Sequence, residues 1–491
     1  MKIFHNLIIF SVLFFVFISP ALSQPYENIP AAVHIQSDIS DGKYSIEELA
    51  KLAKENSVKV IIISDTLLRR WEYGLWPWRH IVKKAFEEKS VIRMGVENYL
   101  SLIEQAQKKN PEVLIIPGVE VGSFYYWKGG LFSKDGLTLF HWHKKMLVVG
   151  MKNAEDYKKL PVVASYARLP QRPSDVIKFW PVLLIVLGFL ASRIRLKRHF
   201  SFQGKAFSGY VNPFESLRYI LIGVGLISLV NNLTFSVSPY DSYRGEQGIK
   251  PYQYLIDYVN KRGGAVFWLH PESSYTREIL GVKILTYSYK EDLLRAKDYQ
   301  GFSGLYADNI TITQPGDLWD KILLEYCQGK RQRPVWIIGE VGFDGLSKKD
   351  MTAIETVFLL SNLGQEEVLQ ALREGRMYAQ LNRQKNNFSL ARFIVTDQQT
   401  ENVGFMGDEI NIKGAPRIEI KLKFTASANE EIALKLIREG KVIQEVTGKG
   451  PELIWVFSDQ GCPKGSKTFY RLEMESNFCR VLSNPIFVTV Q

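Results

Sequence analysis

Two apolar runs in the middle of the chain limit its possible folds more than any other feature. Residues 219–240 contain no charged side chain and are long enough to cross a bilayer. The run at residues 179–192 is shorter and, taken alone, would also suit a buried core helix. Lys178 and Arg193 at its ends can reach the interface, however, and Trp180 is a typical interfacial residue. The sequence therefore predicts a two-helix membrane hairpin over residues 177–240.

The connection between the two runs is strongly basic. It contains one acid, Glu215, and a set of basic residues: Arg193, Arg195, Lys197, Arg198, Lys205 and Arg218. Positive charge beside a span predicts a cytoplasmic location, which places both flanking segments on the outer side. Residues 1–23 have a basic start, an apolar run and a small-residue ending, which together predict a secretory signal. Such a signal directs the amino-terminal part of the chain to the same outer side. An uncleaved anchor is the alternative reading of residues 1–23.

Strand and helix patterns alternate on both sides of the hairpin. Residues 58–64 (VKVIIIS) and 113–121 (VLIIPGVEV) are continuous apolar runs, as in parallel strands buried on both faces. Residues 264–269 and 334–339 repeat the pattern after the hairpin, and residues 79–88 and 95–110 are expected to be helical. This alternation predicts an α/β barrel or a doubly wound sheet, built from residues 24–176 and 241–386.

The character of the chain changes near residue 387. Short alternating strands and turn signals follow one another to the end, including RIEIKLKF and TFYRLEME. We expect residues 387–491 to form a separate β-sandwich. Cys462 and Cys479 flank a predicted hairpin and could pair in an oxidising compartment, which would leave Cys327 single.

Composition excludes some classes of function. The formal charge is +11, but much of the excess lies in the basic connection, and no basic-aromatic motif accompanies it. We therefore expect no nucleic-acid partner. The absence of a CxxC pair makes a thiolate zinc site improbable.

Candidate site residues follow the predicted strands. His34 ends the first strand, Asp38 and Asp41 lie in the polar loop behind it, and Ser45 with Glu48 forms a capping-box pattern that starts a helix. Histidine at a strand end beside loop carboxylates is how an α/β barrel presents metal ligands, although a solvated turn with one satisfied histidine would give the same pattern.

Five motifs in order resemble the PHP (polymerase and histidinol phosphatase) superfamily over residues 31–380. They are His34 with Asp41 and Gly42, a strand ending Ser64-Asp65, Pro117-Gly118 with Glu120, a strand ending His270-Pro271, and Asp344 near the last strand. The Arg471-Leu-Glu473 and 482–488 patterns are similar to those of a subgroup with a β-rich tail. The resemblance implies a distorted (β/α)7 barrel that binds up to three divalent metals and hydrolyses phosphoesters or related bonds.

The sequence also departs from the family pattern. Gln36 and Thr66 stand where the family has histidine, and Lys145 stands where a histidine meets the apolar run, with His141 and His143 just upstream. The metal ligands implied are His34, Asp41, Glu120, His143 and His270, and Asp65 and Asp344 are the candidate catalytic carboxylates. Imidazole suits borderline ions better than amide, hydroxyl or ammonium groups, so one ion (Zn, Mn or Fe) is expected rather than three.

Two functions remain open at this point. The first is a membrane-anchored, exterior or periplasmic hydrolase that acts on a small phosphoester-like substrate. The second is an inactive binding or assembly module that recognises an envelope ligand and holds no metal, in which a salt bridge between Lys145 and Glu120 would replace an ion.

Overall fold

The structure is a computed structural model that describes residues 25–130, 133–134, 136–163, 173–233, 238–384, 388–397, 399, 402–424 and 431–491. The predicted signal at residues 1–23 lies outside the described residues. Where the chain is described, it is a mixed α/β protein built on one large sheet, with smaller sheets packed around it.

The part that precedes the apolar runs alternates strands and short helices. Its strands are β1 (Glu27–Ile35), β2 (Val60–Thr66), β3 (Arg70–Gly74), β4 (Lys83–Glu87), β5 (Leu114–Val121), β6 (Tyr126–Gly129), β7 (Leu137–Phe140) and β8 (Met146–Val149). Its helices are α1 (Ile46–Glu55), α2 (Val91–Met94), α3 (Val96–Lys109) and α4 (Ala154–Lys158). The capping box predicted at Ser45 and Glu48 is confirmed at the start of α1.

One expected helix is wrong. Residues 79–88 contain β4, which pairs antiparallel with β3. The ion pairs Arg70–Glu87 and Lys83–Glu72 cross this hairpin, and Trp71 packs on Phe86 with ring centroids 5.4 Å apart. These cross-strand contacts outweigh the weak helical preference of the segment.

The middle part holds the apolar runs. A 3₁₀ segment (Pro173–Phe179) leads into α5 (Pro181–Arg193), and a hairpin of β9 (Leu196–Phe202) and β10 (Lys205–Val211) connects α5 to α6 (Glu215–Asn232). Among the described residues one helical segment, Asp175–Arg193, is long and apolar enough to cross a membrane, and little of it is buried. The structure thus shows one such helix where the sequence predicts two, since α6 carries charged and amide residues at its ends (Glu215, Arg218, Asn231 and Asn232).

The remaining elements complete the large sheet and add the tail. They are α7 (Lys250–Asn260), β11 (Ala265–Trp268), β12 (Tyr275–Ile279), β13 (Val282–Thr286), α8 (Asp292–Arg295), β14 (Gly301–Leu305), α9 (Leu318–Cys327), β15 (Trp336–Gly339), β16 (Ile354–Leu360), α10 (Gln365–Glu374), β17 (Met377–Asn382), β18 (Phe388–Asp397), β19 (Val403–Gly404), β20 (Glu409–Ile412), β21 (Pro416–Phe424), β22 (Ile432–Arg438), β23 (Lys441–Gly448), β24 (Glu452–Ser458), β25 (Lys467–Glu475), β26 (Cys479–Ser483) and β27 (Ile486–Val490). Gly375 ends α10 in the left-handed conformation (φ 76°), as its sequence position predicts.

Seven strands of the large sheet carry the residues of interest, in the order β15-β14-β11-β8-β5-β2-β1. Neighbours are parallel except for β8, which is antiparallel to β5 and β11. The residues after β15 then bond to β1: Val341 N donates to Val33 O (3.1 Å), Phe343 N to His34 O (3.0 Å) and Gln36 N to Phe343 O (2.9 Å). The first and last of these strands are therefore joined by backbone hydrogen bonds.

The tail packs as two sheets over a core of its own, but it is not separate from the rest. One sheet of the tail consists of β19, β18, β21 and β24, and it packs on the other across this core. The other sheet continues the large sheet, because β26 pairs antiparallel with β17, from Tyr378 opposite Ser483 to Asn382 opposite Cys479. The three cysteines are free thiols in the structure.

Candidate metal centre at the strand ends

Two histidines occupy strained backbone positions near the carboxyl ends of two strands of the large sheet. His34 lies in β1 where the register with β2 shifts, and its φ is 70°. His270 follows β11 with a φ of 29°. A left-handed backbone costs a non-glycine residue about 1–3 kcal/mol, so the surrounding structure must hold both residues in place.

Glu340, the residue after β15, lies between these histidines. Its Oε1 is 2.6 Å from Nδ1 of His34 and 2.8 Å from Nδ1 of His270, and its Oε2 accepts from the backbone N–H of His270 at 3.0 Å. Burial opposes ionisation, but His270 and His34 keep the pKa of Glu340 well below its usual range. Glu340 is thus a buried, ionised acceptor shared by two imidazoles.

Glu120, at the end of β5, forms the other side of the site. Its Oε1 pairs with Nζ of Lys145 at 2.7 Å, and its Oε2 accepts from Nε2 of Gln36 (2.8 Å) and the hydroxyl of Thr66 (3.2 Å). Burial alone would raise the pKa of Glu120, but Lys145 and His34 hold it well below its usual range. Gln36, Thr66 and Lys145 therefore all engage this carboxylate.

His34 joins the two carboxylates. Its Nε2 is 3.8 Å from Oε2 of Glu120, which is too far for a hydrogen bond, and it is buried with no hydrogen-bond partner in the described structure. Burial lowers the pKa of His34, but Glu340 and Glu120 outweigh it and raise the pKa to about 9. The imidazole thus has one nitrogen on Glu340 and one open nitrogen facing Glu120.

A metal ion would find three ligands in one place. One ligand atom each from His34, His270 and Glu340 lies within 4.8 Å of the others. Two imidazoles and a carboxylate are the ligands that zinc and similar ions take when one position stays open for water. Nδ1 of His34 and Nδ1 of His270 both lie within hydrogen-bond distance of Oε1 of Glu340, so an ion bound by these three atoms would take the place of the protons that they share. A second ion would need the oxygen of Glu120 that the ammonium of Lys145 contacts.

Two other predicted site carboxylates bind protein groups. Asp65 accepts from the backbone N–H of Ser37 (2.8 Å), the Ser37 hydroxyl (2.7 Å) and the Ser40 hydroxyl (2.5 Å), so it holds the loop behind His34. Burial raises the pKa of Asp65 despite these bonds. Asp41 forms an ion pair with Arg69, whose Nε also contacts Glu88 at 2.5 Å.

The other two predicted residues lie apart from the Glu340 contacts. His143 packs on Tyr275 with ring centroids 3.4 Å apart, and burial together with Lys145 lowers its pKa to about 2. Asp344 accepts from the N–H groups of Leu346 and Ser347 and from the Ser347 hydroxyl, each at 2.9 Å, so it closes a turn.

Glu340 is absent from the site residues that the sequence predicts. A signal was present, because Glu340 directly follows the buried apolar strand β15, and Glu120 likewise lies at the carboxyl end of the apolar strand β5. The structure brings His34, Glu120 and His270 together around it, whereas Asp41, Asp65, His143 and Asp344 have the other partners described above.

Comparison with known proteins gives matches among solved structures. No protein-family model and no curated protein matches the chain. A two-domain protein from Bacteroides vulgatus, described as containing a predicted PHP-like metal-dependent phosphoesterase, aligns with a TM-score of 0.36 and 9% identity over 91% of each chain. A candidate metal-dependent phosphoesterase from Bifidobacterium adolescentis aligns with a TM-score of 0.28 and 12% identity, over 65% of this chain and 89% of its own. An amidohydrolase from Chromobacterium violaceum, with bound sulfate and no metal, aligns with a TM-score of 0.25 and 10% identity over the same shares.

Proposed function

We propose that this protein is a membrane-anchored hydrolase of the PHP superfamily that cleaves phosphoester or related bonds with one divalent ion. The observation that carries the proposal is the convergence of ligand atoms of His34, His270 and Glu340 within 4.8 Å of one another. In this reading the seven strands form a distorted barrel, closed by the hydrogen bonds between β1 and the residues after β15.

The ion and the residues around it would have different roles in hydrolysis. A bound Zn, Mn or Fe ion would polarise the ester and lower the pKa of a water molecule. Without an ion, Glu340 holds both imidazoles in position through the hydrogen bonds at its Oε1, and it would be the third ligand of a bound ion. Glu120 stays ionised beside Lys145 and orients the attacking water as a hydrogen-bond acceptor; its low pKa makes it a poor base.

The membrane part of the proposal rests on α5 and α6. The two helices pack on each other and expose apolar side chains outward, among them Leu183, Leu187, Ile220 and Val230. Among the described residues, only the segment Asp175–Arg193 is long and apolar enough to cross a membrane by itself, but strands on both sides of the helix pair build the same large sheet and so lie on the same side of the bilayer. We therefore infer that α6 returns across the bilayer packed on α5, that the basic β9–β10 hairpin is cytoplasmic and that the site lies outside. Labelling of a single cysteine placed at Lys205, in a cysteine-free chain, by an impermeant reagent tests this: protection in intact cells is expected, and labelling would contradict it.

One observation favours a second function. Gln36, Thr66 and Lys145 already engage both oxygens of Glu120, so this side of the site is satisfied without a metal. An inactive module that binds an envelope ligand at the strand ends is therefore the alternative.

Metal analysis of the purified protein distinguishes the hydrolase from the inactive binding module. The full chain, purified in detergent, is expected to hold close to one zinc, manganese or iron ion and to hydrolyse bis(p-nitrophenyl) phosphate. His270→Ala and Glu340→Gln should lose the ion and the activity, whereas the turn variant Asp344→Asn should keep both. A metal-free, inactive wild type whose melting temperature ignores chelator would support the binding module instead.

A further inference from the structure

The β3–β4 hairpin ends in a tip, residues 75–82, that exposes apolar side chains. Leu75, Trp76, Ile81 and Val82 are each 42–79% exposed, Trp76 the most. The backbone N–H of Leu75 donates to the carbonyl of Val82 at 2.8 Å, so the two strands stay paired up to this point. Successive residues of a paired strand point to opposite faces, so the tip carries apolar groups on both of its faces.

The polar residues of the tip are less exposed than its apolar ones. The guanidinium of Arg79 lies over the ring of Tyr243, 4.1 Å from its centroid, and His80 is only partly exposed, with Nδ1 3.8 Å from Glu72. Along the hairpin, exposed charge begins at Lys84, two residues past the tip. A loop that faces water normally shows the reverse arrangement, so this apolar end indicates a binding surface.

Two hydrogen bonds fix the tip beside the last turn of α6. Nε1 of Trp78 donates to the hydroxyl of Ser228 at 3.3 Å, and the backbone N–H of His80 donates to Oδ1 of Asn231 at 2.9 Å. Ser228 precedes Asn232, the last residue of α6, by four positions, or about 6 Å along the helix. Because α6 begins at the basic hairpin and ends on the opposite side, the tip lies at its outer end.

The start of α5 adds further apolar surface at the same level. Val176 and Ile177, in the 3₁₀ segment that leads into α5, are exposed, and so is Trp180 at the helix start. Trp76 of the tip lines one cleft of about 600 Å³ together with Ile177 and Trp180. Tryptophan is enriched where a membrane meets water. The tip therefore continues the apolar surface of the two helices at their outer ends.

We propose that the tip of the β3–β4 hairpin enters the outer leaflet of the bilayer beside α5 and α6. This inference rests on the membrane placement in the proposed function. Lipid fits the tip because it can surround a hairpin end that is apolar on both faces, and because the surface is continuous with that of the two helices.

The contact would also set the position of the candidate metal centre relative to the membrane. Arg69, which directly precedes β3, forms an ion pair with Asp41 in the loop behind His34. Seven residues separate Arg69 from Trp76, so the two lie within roughly 25 Å of each other. The tip would therefore hold the rim of the site close to the outer surface of the bilayer.

Quenching of tryptophan fluorescence by brominated lipid tests the proposal. The full chain is placed in vesicles of phosphatidylethanolamine and phosphatidylglycerol whose acyl chains carry bromine near the headgroup. The difference between wild type and Trp76→Phe gives the fluorescence of Trp76, which should fall by about half or more relative to vesicles without bromine. Trp455, in the tail, is the control: the fluorescence lost in Trp455→Phe should not be quenched. Melting temperatures check that the variants fold, as expected for an exposed side chain such as Trp76.

Trp180, measured in the same way with Trp180→Phe, distinguishes this inference from the proposed function. Quenching of Trp180 without quenching of Trp76 would keep α5 in the membrane and overturn the contact of the tip. Absence of quenching at both residues would overturn both ideas, whereas quenching of Trp76 alone would support the tip and contradict the placement of α5.

Two further results would overturn the proposal. One is equal quenching of Trp455 and Trp76, which would show that the brominated lipid does not report a specific contact. The other is protection of Trp76 from aqueous acrylamide without quenching by lipid, which would assign the tip to a contact with another protein chain.

Discussion

Nζ of Lys145 lies 2.7 Å from Oε1 of Glu120, and both side chains are almost fully buried. The pair places a fixed positive charge beside a carboxylate that also faces the open nitrogen of His34. Lys145 thus supplies, from the chain itself, part of the charge that a second metal ion would provide.

Removal of this ammonium is expected to destabilise the fold. Lys145→Met leaves Glu120 buried without its ion-pair partner, which costs about 3–5 kcal/mol in comparable cases. Urea unfolding followed by tryptophan fluorescence measures the change. The exposed pair Lys51–Glu47 is the control, because solvent screens it and Lys51→Met should leave the free energy of unfolding almost unchanged. Equal effects of the two substitutions would contradict the prediction, and Lys145→Met with Glu120→Gln should recover part of the loss.

The raised pKa of Glu355 predicts that the free energy of unfolding depends on pH. Burial raises its pKa to about 7 from 4.5, Asp350 adds to the rise, and the hydrogen bond from Asn382 opposes it. The folded state binds this proton more tightly than the unfolded chain, so the contribution is full below pH 4.5 and is lost as the pH rises through 7. It amounts to about 3 kcal/mol at most. The melting temperature of wild type should therefore fall relative to Glu355→Gln between pH 5 and 7.5, and parallel curves would refute this.

Arg471 and Asp320 should matter more than any exposed ion pair. Nε of Arg471 donates to Oδ1 of Asp320 at 2.6 Å and its Nη2 to Oδ2 at 2.7 Å, and both residues are buried. Arg471→Met is expected to cost about 3–5 kcal/mol, because it leaves an unpaired buried carboxylate. Lys435, whose contact with Glu445 is exposed and 3.9 Å long, provides the matched control. A similar unfolding free energy for Arg471→Met and Lys435→Met would rule this out.

Close packing of α5 on α6 depends on glycine. A Cβ at Gly225 would lie 2.7 Å from Cγ1 of Ile185 and 3.1 Å from the carbonyl of Pro181, whereas one at Gly223 would meet nothing within 4 Å. Gly225→Ala should therefore lower stability in detergent by about 1–3 kcal/mol through overpacking. Gly223→Ala, on the same helix, should leave the melting temperature unchanged or raise it slightly. The reverse order would show that the two helices do not pack here as described.

Local patterns in the sequence predicted much of the fold, and contacts between distant residues account for what was missed. The capping box of α1, the strand at residues 58–64 and the glycine end of α10 follow from neighbours within a few residues. Residues 79–88 are predicted to be helical, and the hairpin of β3 and β4 is missed, because its stability comes from cross-strand pairs such as Arg70–Glu87, which lie 17 residues apart. The continuation of β17 into β26 joins residues about 100 positions apart and leaves no local signal.

In the candidate site, too, some residues can be predicted from their neighbours in sequence and one cannot. His34, Glu120 and His270 follow strands, and the position of each was readable from its apolar run. The role of Glu340 depends on two histidines that precede it by more than 60 residues in the chain, so only the folded arrangement reveals that it bonds to both.

The pairing of β17 with β26 means that the tail is not a transferable module. A chain cut after residue 386 would leave the backbone groups of β17 without the partners that β26 supplies. Open strand edges of this kind recruit other chains and lead to aggregation. Assays on a shortened protein would then report insolubility rather than the chemistry of the site, and an insertion that displaces the last strands would do the same.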